Sequence, residues 1–424
     1  MQLDSVDLLV NTYLHYGYLP SLSTPSKLHE IDKPNPRPTF SVSEASQLFN
    51  KIMDDVVSQH TNKEGRCIVP LSGGWDSRIL FGAVMDRFPK NKISTLSFGA
   101  PGQLDYKIGK KISAHYDINH TSVDLSQQEI SWQKLRQSVE IAPWTYTPDA
   151  YFNKLAISTV MPNKDDIIVS GFMGGPLTGG HYTNNSPEDE KKAFSKKQRK
   201  VKEKWLPESG FHPEASLPPV SDTSPLSPSE QLDICVRQSN CISAIVTPCQ
   251  KFSQWSYKMG ALQSGTQFLT PFTHPEWASY WLHAPKSVKK NQELYLSILT
   301  NLYPELSALP SKYSLGAPNN SRLRKRFARS KRNLKRHLGN RLPMLGVREC
   351  SGINYLDYDH AFRKREDYYE VIKTAKNILK ENNITPWIDI EGLIENHIAN
   401  KENNGKTFLV LVGLALNLER EGVV

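Results

Sequence analysis

Cys67-Ile68-Val69-Pro70-Leu71, then Ser72-Gly73-Gly74-Trp75-Asp76-Ser77, then Arg78-Ile79-Leu80-Phe81-Gly82-Ala83-Val84-Met85: this stretch decides the fold. The first five residues form a short apolar run and predict a buried parallel strand, and the last eight carry the periodicity of a helix. Between them lies a tight turn that opens onto a helix N-terminus. Free backbone N–H groups and the helix dipole converge there, so the turn is a ready anion site. Gly73 and Gly74 let the backbone approach a phosphate, and Ser72 and Ser77 add hydroxyls. Asp76 sharpens the reading. A carboxylate set against phosphate is repulsive unless a hard cation lies between them, so Asp76 points to Mg²⁺. The turn lacks the Lys-Ser/Thr ending of the longer Walker A loop.

The remaining composition bounds the class. At 424 residues the chain is long enough for two or three domains and a large core. No apolar run approaches the roughly 18 residues of a membrane span. The N-terminus, Met1-Gln2-Leu3-Asp4, carries acid rather than base and reads as no signal peptide. Five cysteines, odd in number and without metal-type pairing, read as reduced thiols, and the expected location is cytoplasmic. The net charge of +9 is concentrated: ten Lys or Arg residues fall between Arg322 and Arg341. That segment suits nucleic acid, an acidic polymer or a membrane surface, or is a solvated helix. With Phe327 as its one aromatic residue it offers no stacking platform, so nucleic acid is not among the expected partners.

Strands expected at 67–71, 93–98, 119–124 and 166–170 alternate with helices at 76–87 and 104–115. This predicts an α/β fold with a doubly wound parallel sheet, whose ligands bind at the carboxyl ends of the strands. The loop at 72–77, Gly99 and Gly171 all fall at such ends. The expected organisation is a Pro-containing lead-in at 1–40 and an α/β core at 41–183, opened by a capping-box-like Ser41-Val42-Ser43-Glu44. A charged and Pro/Ser-rich insertion at 184–230 follows, then a helical part at 231–320, the basic segment at 321–345 and a helical C-terminal region at 346–424. Within the last, Thr407–Leu416 is apolar nearly all round and reads as a buried helix.

The Ser-Gly-Gly-x-Asp-Ser turn resembles the pyrophosphatase loop of enzymes that cut ATP between its α- and β-phosphates. Four further stretches make the chain resemble the synthetase domain of the asparagine synthetase family. They are Leu96-Ser97-Phe98-Gly99-Ala100-Pro101-Gly102 with Asp105, Ile168-Val169-Ser170-Gly171 with the glycines up to Gly180, Thr270-Pro271-Phe272-Thr273-His274-Pro275-Glu276, and Leu309-Pro310-Ser311-Lys312. The likeness spans roughly residues 10–320. It implies an ATP-pyrophosphatase (adenine nucleotide α-hydrolase-like) sheet and a ligase that activates a carboxylate as an acyl-adenylate. Release of AMP and pyrophosphate then accompanies attack by ammonia or an amine. It further implies ATP bound by Leu71, Ser72, Gly73, Gly74, Asp76, Ser77, Phe98, Gly99 and Gly171, with Mg²⁺ held by Asp76 and Asp105. Lys312 matches the lysine that stabilises developing charge.

Two departures shape the expectation. The family's glutaminase half has no counterpart here, so the resemblance implies free ammonia, a separate glutaminase or an amine substrate. The family's glycine-rich segment carries acidic residues, whereas here it reads Phe172-Met173-Gly174-Gly175-Pro176. His181 is the candidate replacement base. Lys289 and Lys290 compete with Lys312 for the cationic role, Trp75 is expected to pack under the loop, and Arg78 either reaches a phosphate or faces solvent. The substrate acid, whether small molecule, sugar or peptide, is not encoded in any stretch, although Trp144–Tyr151 falls where family members shape the acceptor pocket. Two other readings stay open: a degenerate nucleotide-binding or scaffold protein of the same fold, and an RNA-modifying ATP-pyrophosphatase.

Overall fold

The computed structural model describes residues 3–16, 39–58, 64–141, 144, 147–180, 266–319, 321–341 and 355–424. The expected insertion at 184–230 and His181 lie outside them.

The strands are β1 (Cys67–Pro70), β2 (Ile93–Gly99), β3 (Asn119–Asp124), β4 (Ile167–Val169) and β5 (Gln267–Leu269). They form one parallel sheet in the order β3-β2-β1-β4-β5. The helices before β4 are α1 (Leu3–Tyr16), α2 (Val42–Val57), α3 (Asp76–Met85), α4 (Leu104–His115), α5 (Trp132–Ile141) and α6 (Thr147–Thr159). After it come α7 (Gly174–Leu177), α8 (Pro275–His283), α9 (Lys286–Lys289), α10 (Glu293–Leu302), α11 (Pro304–Ala308) and α12 (Arg322–Arg341). The C-terminal part holds α13 (Tyr358–Lys364), α14 (Glu366–Glu381), α15 (Ile390–Ile398) and α16 (Gly405–Arg420).

Side chains alternate across the sheet and feed two cores. Cys67, Val69, Ile167 and Val169 face one side, where α2, α3, α8 and α10 pack around Phe49, Phe81, Trp277 and Tyr295. Ile68, Leu96, Ile168 and Phe268 face the other, covered by α1, α6, α14 and α16. A parallel sheet buried on both faces needs such continuous apolar strands. In α16 every residue from Thr407 to Leu418 is buried, as the apolar run predicts.

Three features depart from the sequence expectation. β5 was not foreseen, because three residues carry no periodicity of their own; parallel pairing with β4 defines it. The lead-in holds a helix, α1, whose Tyr13 and Leu14 are fully buried. The capping box at α2 is half made: Ser41 accepts the Glu44 N–H at 3.2 Å, while the Glu44 carboxylate takes the Thr39 hydroxyl instead.

The start of β1 is braced to the start of β4. The buried Asp166 carboxylate accepts the Arg66 backbone N–H at 2.6 Å and the Arg66 guanidinium at 2.7 and 3.1 Å. Gly65 fits here because a Cβ would meet the Asp165 carbonyl at 1.8 Å.

Candidate active site

In the order β3-β2-β1-β4-β5 the chain winds one way from β1 through β2 to β3 and the other way through β4 to β5. The switch lies between β1 and β4, and their carboxyl ends open the crevice where ligands of such sheets bind. The turn 72–77 leaves β1 and the glycine-rich segment leaves β4, so the two meet across that crevice. Their contact is close. A Cβ on Gly174 would lie 2.5 Å from Asp76 Oδ1, one on Gly175 3.3 Å from Oδ2, and one on Gly171 3.1 Å from the Asp76 Cβ. The absence of side chains at these positions is what makes room for the carboxylate.

Inside the turn, the Ser72 N–H donates to Ser77 Oγ at 3.0 Å, and the two hydroxyls lie 3.0 Å apart. The Gly74 N–H donates to Ser72 Oγ at 3.1 Å, and the Gly73 N–H donates to Asp105 Oδ1 at 2.9 Å. Both glycine amides are therefore taken, one by Ser72 within the loop and the other by Asp105 on α4. Because one hydroxyl of the serine pair donates to the other, one hydroxyl hydrogen is left over for an anion. No side chain caps α3, so its first-turn amides keep the character of an anion site.

Asp76 opens α3. Its Oδ1 is shielded from solvent and makes no hydrogen bond among the described residues. Burial pushes its pKa up to about 6, opposed by the Tyr295 hydroxyl, Lys312 and the Gly175 backbone. A buried carboxylate with one oxygen lacking a hydrogen bond is able to accept a hard cation. No group of three or more His, Cys, Asp or Glu able to hold a metal occurs among the described residues. Magnesium bound with substrate phosphates needs one or two carboxylates, so Asp76 fits. Asp105 is more engaged: Oδ1 takes the Gly73 amide, and Oδ2 lies 3.6 Å from Lys312 Nζ.

Lys312 comes from far along the chain and lands on the turn. Its backbone N–H donates to the Gly73 carbonyl at 3.0 Å, and a Cβ on Gly74 would lie 3.7 Å from its Nζ. Of the three candidate lysines, this one joins Asp76 and Asp105. Lys289 is buried and backs onto Gly179, and Lys290 is exposed.

Arg78 takes neither of the two roles expected of it. It is fully buried and donates to the carbonyls of Leu306 (3.1 Å), Leu309 (3.0 Å) and Pro310 (2.5 Å). It thereby ties the turn to the strap that presents Lys312. Trp75 completes the clamp: its ring stacks on Tyr313 with centroids 5.3 Å apart and planes 5° from parallel. The Arg78 guanidinium lies 5.1 Å from the Trp75 ring.

Leu71 is buried and locked at the end of β1, its N–H on the Leu96 carbonyl and its carbonyl accepting the Ser97 hydroxyl. Phe98 and Gly99 end β2 one strand away, with Gly99 at a φ of 147°. Tyr355, itself at a φ of 61°, stacks on Phe98 at 5.5 Å. Tyr295, Tyr313 and Tyr355 are site neighbours that sequence reasoning missed. Tyr313 adjoins Lys312, but nothing in the spacing of Tyr295 or Tyr355 points back to the turn. Trp144 and Tyr151, expected near an acceptor pocket, are buried: the Trp144 N–H donates to Asn417 Oδ1 on α16, and the Tyr151 hydroxyl to the Glu129 carbonyl.

Residues 48–204 match the family model for asparagine synthase. The match begins in α2 and includes the turn, Asp105 and the glycine-rich segment, so it contains both walls of the crevice; Lys312 lies beyond it. At the level of the family, an asparagine synthase domain carries ATP-dependent amide ligation. A comparison with curated proteins finds no match to this chain. No helix among the described residues is long and apolar enough to cross a membrane.

Proposed function

We propose that the protein forms amide bonds by an AMP-forming reaction, with ATP at the turn 72–77 and a carboxylic acid as its partner substrate. The observation that carries this is the shielded, unpaired Asp76 Oδ1 beside a Gly-Gly turn, with Lys312 as the adjacent cation. Asp76 would hold magnesium, which supplies charge neutralisation for the phosphates when bound. The first-turn amides of α3 and the spare serine hydroxyl orient the phosphates, with Leu71, Phe98, Gly99 and Gly171 framing the nucleotide. The substrate carboxylate attacks the α-phosphorus and the bond to the β-phosphate breaks, releasing pyrophosphate. Ammonia or an amine then attacks the acyl carbon, AMP leaves with the electron pair, and the amine loses a proton. Lys312 stabilises the negative charge that develops on oxygen in both steps. Such a site works by positioning and electrostatics and needs no protein nucleophile.

One observation favours a second reading, nucleotide binding without turnover: 172–176 supplies no carboxylate. Product analysis separates the two. Protein with Mg-ATP, ammonium and a panel of aspartate, other amino acids and uronic acids should release AMP and pyrophosphate with at least one acid. ATP binding without AMP for any acid supports the second reading. Absence of ATP binding overturns both.

A further inference from the structure

The basic segment is the helix α12, and it is turned the wrong way round for a helix that serves only its own fold. Arg322–Arg341 holds ten Lys or Arg residues and no Asp or Glu. Its half-buried residues include Lys325, Ala328 and Arg332, which share one face at i, i+3 and i+7. Leu323, Phe327 and Leu334 are 78%, 73% and 58% exposed. These three fall within an arc of about 40° at 3.6 residues per turn, opposite the face of Lys325, Ala328 and Arg332, and the half-buried Leu338 lies at the edge of the stripe. On the same wheel Arg324, Lys331 and Lys335 flank this stripe on one side, and Arg322, Arg326 and Arg329 flank it on the other.

We propose that α12 docks the protein onto an anionic lipid surface, lying in the plane of the interface with Leu323, Phe327 and Leu334 inserted. Charge complementarity selects the occupant. A helix with cations on both flanks of an apolar stripe, and no acid, fits anionic headgroups with acyl chains beneath them. RNA would use the cations but leave the outward Leu and Phe residues in water. α12 is too polar to span a bilayer, so the contact is peripheral. The inference is independent of the reaction assigned to the crevice.

Flotation of the full chain with vesicles tests it. Binding is expected to vesicles of phosphatidylcholine containing phosphatidylglycerol and not to phosphatidylcholine alone, and it should weaken with salt. The triple variant Leu323→Ser/Phe327→Ser/Leu334→Ser keeps every charge and should bind at least about tenfold more weakly. Arg324→Gln/Lys331→Gln/Lys335→Gln keeps the stripe and should lose most of the salt-sensitive part. Both sets replace exposed side chains, and unchanged melting curves verify that each variant is folded. Failure to float with phosphatidylglycerol vesicles overturns the proposal, as does a serine variant that floats like the wild type. RNA binding that survives the serine substitutions, in a protein that does not float, assigns the helix to nucleic acid instead.

Discussion

Asp76 bears a conflict between stability and chemistry. Its folded pKa of about 6 stands above the ordinary carboxylate value of 3.8, chiefly through burial. The folded state therefore binds more protons than the unfolded state between those values. Stability from this group is present below pH 4 and is lost as pH rises through 6. At pH 7 without ligand, the buried charge costs about 1–3 kcal/mol. Asp76→Asn is thus expected to raise the melting temperature of the ligand-free protein at pH 7, with the gain shrinking toward pH 4, while abolishing AMP release. Paired melting and turnover curves from pH 4 to 8 measure both effects. In the wild type, kcat/KM should rise with pH through about 6 as the carboxylate ionises. Gly174→Ala probes the same group from the other wall. Its Cβ would approach Asp76 Oδ1 to 2.5 Å, so magnesium-dependent activity should fall at least about tenfold while the fold survives. Turnover within twofold of the wild type would place the metal elsewhere. Asp76 was singled out because a carboxylate against phosphate calls for a cation, and Lys312 because it matches the family's lysine; the fold places Lys312 beside the turn that carries Asp76. Arg78 was not, since an arginine in a first helical turn reads equally well as a phosphate ligand or a solvated charge. Only the fold brings the carbonyls of Leu306, Leu309 and Pro310 around it.

Arg78 also joins two elements, α3 and the strap between α11 and Lys312, and that gives it a testable role. Arg78→Met keeps much of the stem but removes the guanidinium donor from the Leu306, Leu309 and Pro310 carbonyls, of which Leu309 keeps the Asn319 amide. Loss of about 2–4 kcal/mol in urea denaturation is expected, together with a lower kcat, because Lys312 is no longer held over the turn. Arg78→Lys should rescue little, since an ammonium lacks the planar fork that serves three acceptors. If Arg78→Met lost stability with kcat intact, the Gly73 hydrogen bond and the Trp75–Tyr313 stack would suffice to hold Lys312. At the opposite end of β1, Asp166→Ala should cost about 2–4 kcal/mol, because it leaves the Arg66 backbone N–H without its acceptor and the guanidinium with only the Val160 and Met161 carbonyls. Strands and helices that alternate in long apolar runs were readable in advance, from β1 through α4 and on to β4. β5 was not, because Gln267-Phe268-Leu269 acquires its identity from pairing with β4.

At the scale of the molecule, alternation of strands and helices announces a parallel sheet but not which strands are neighbours. The order β3-β2-β1-β4-β5, and so the crevice between the turn and the glycine-rich segment, appears only when β4 pairs with β1. The same sheet separates two cores. Asp76 rises from the side packed by α2, α3, α8 and α10, while α16 plugs the other side with an unbroken buried surface. Asn417 is a polar residue deep within that plug. It is fully buried, accepts the Trp144 N–H at 2.6 Å and donates to the Gly413 carbonyl at 2.6 Å. Trp144 sits at a φ of 54°, a strained conformation for a bulky residue, and this hydrogen bond helps to hold it. Asn417→Ala should therefore cost about 1–3 kcal/mol, with no change in the affinity for Mg-ATP once the protein is folded. Urea unfolding and nucleotide titration on one preparation measure the two quantities separately. Loss of stability alone means that the second core is a buttress. A parallel loss of nucleotide affinity would mean that strain at Trp144 is transmitted through the aromatic stack of Phe152, Tyr355 and Phe98 to the end of β2. In that case the C-terminal helices are part of the site's geometry rather than its support.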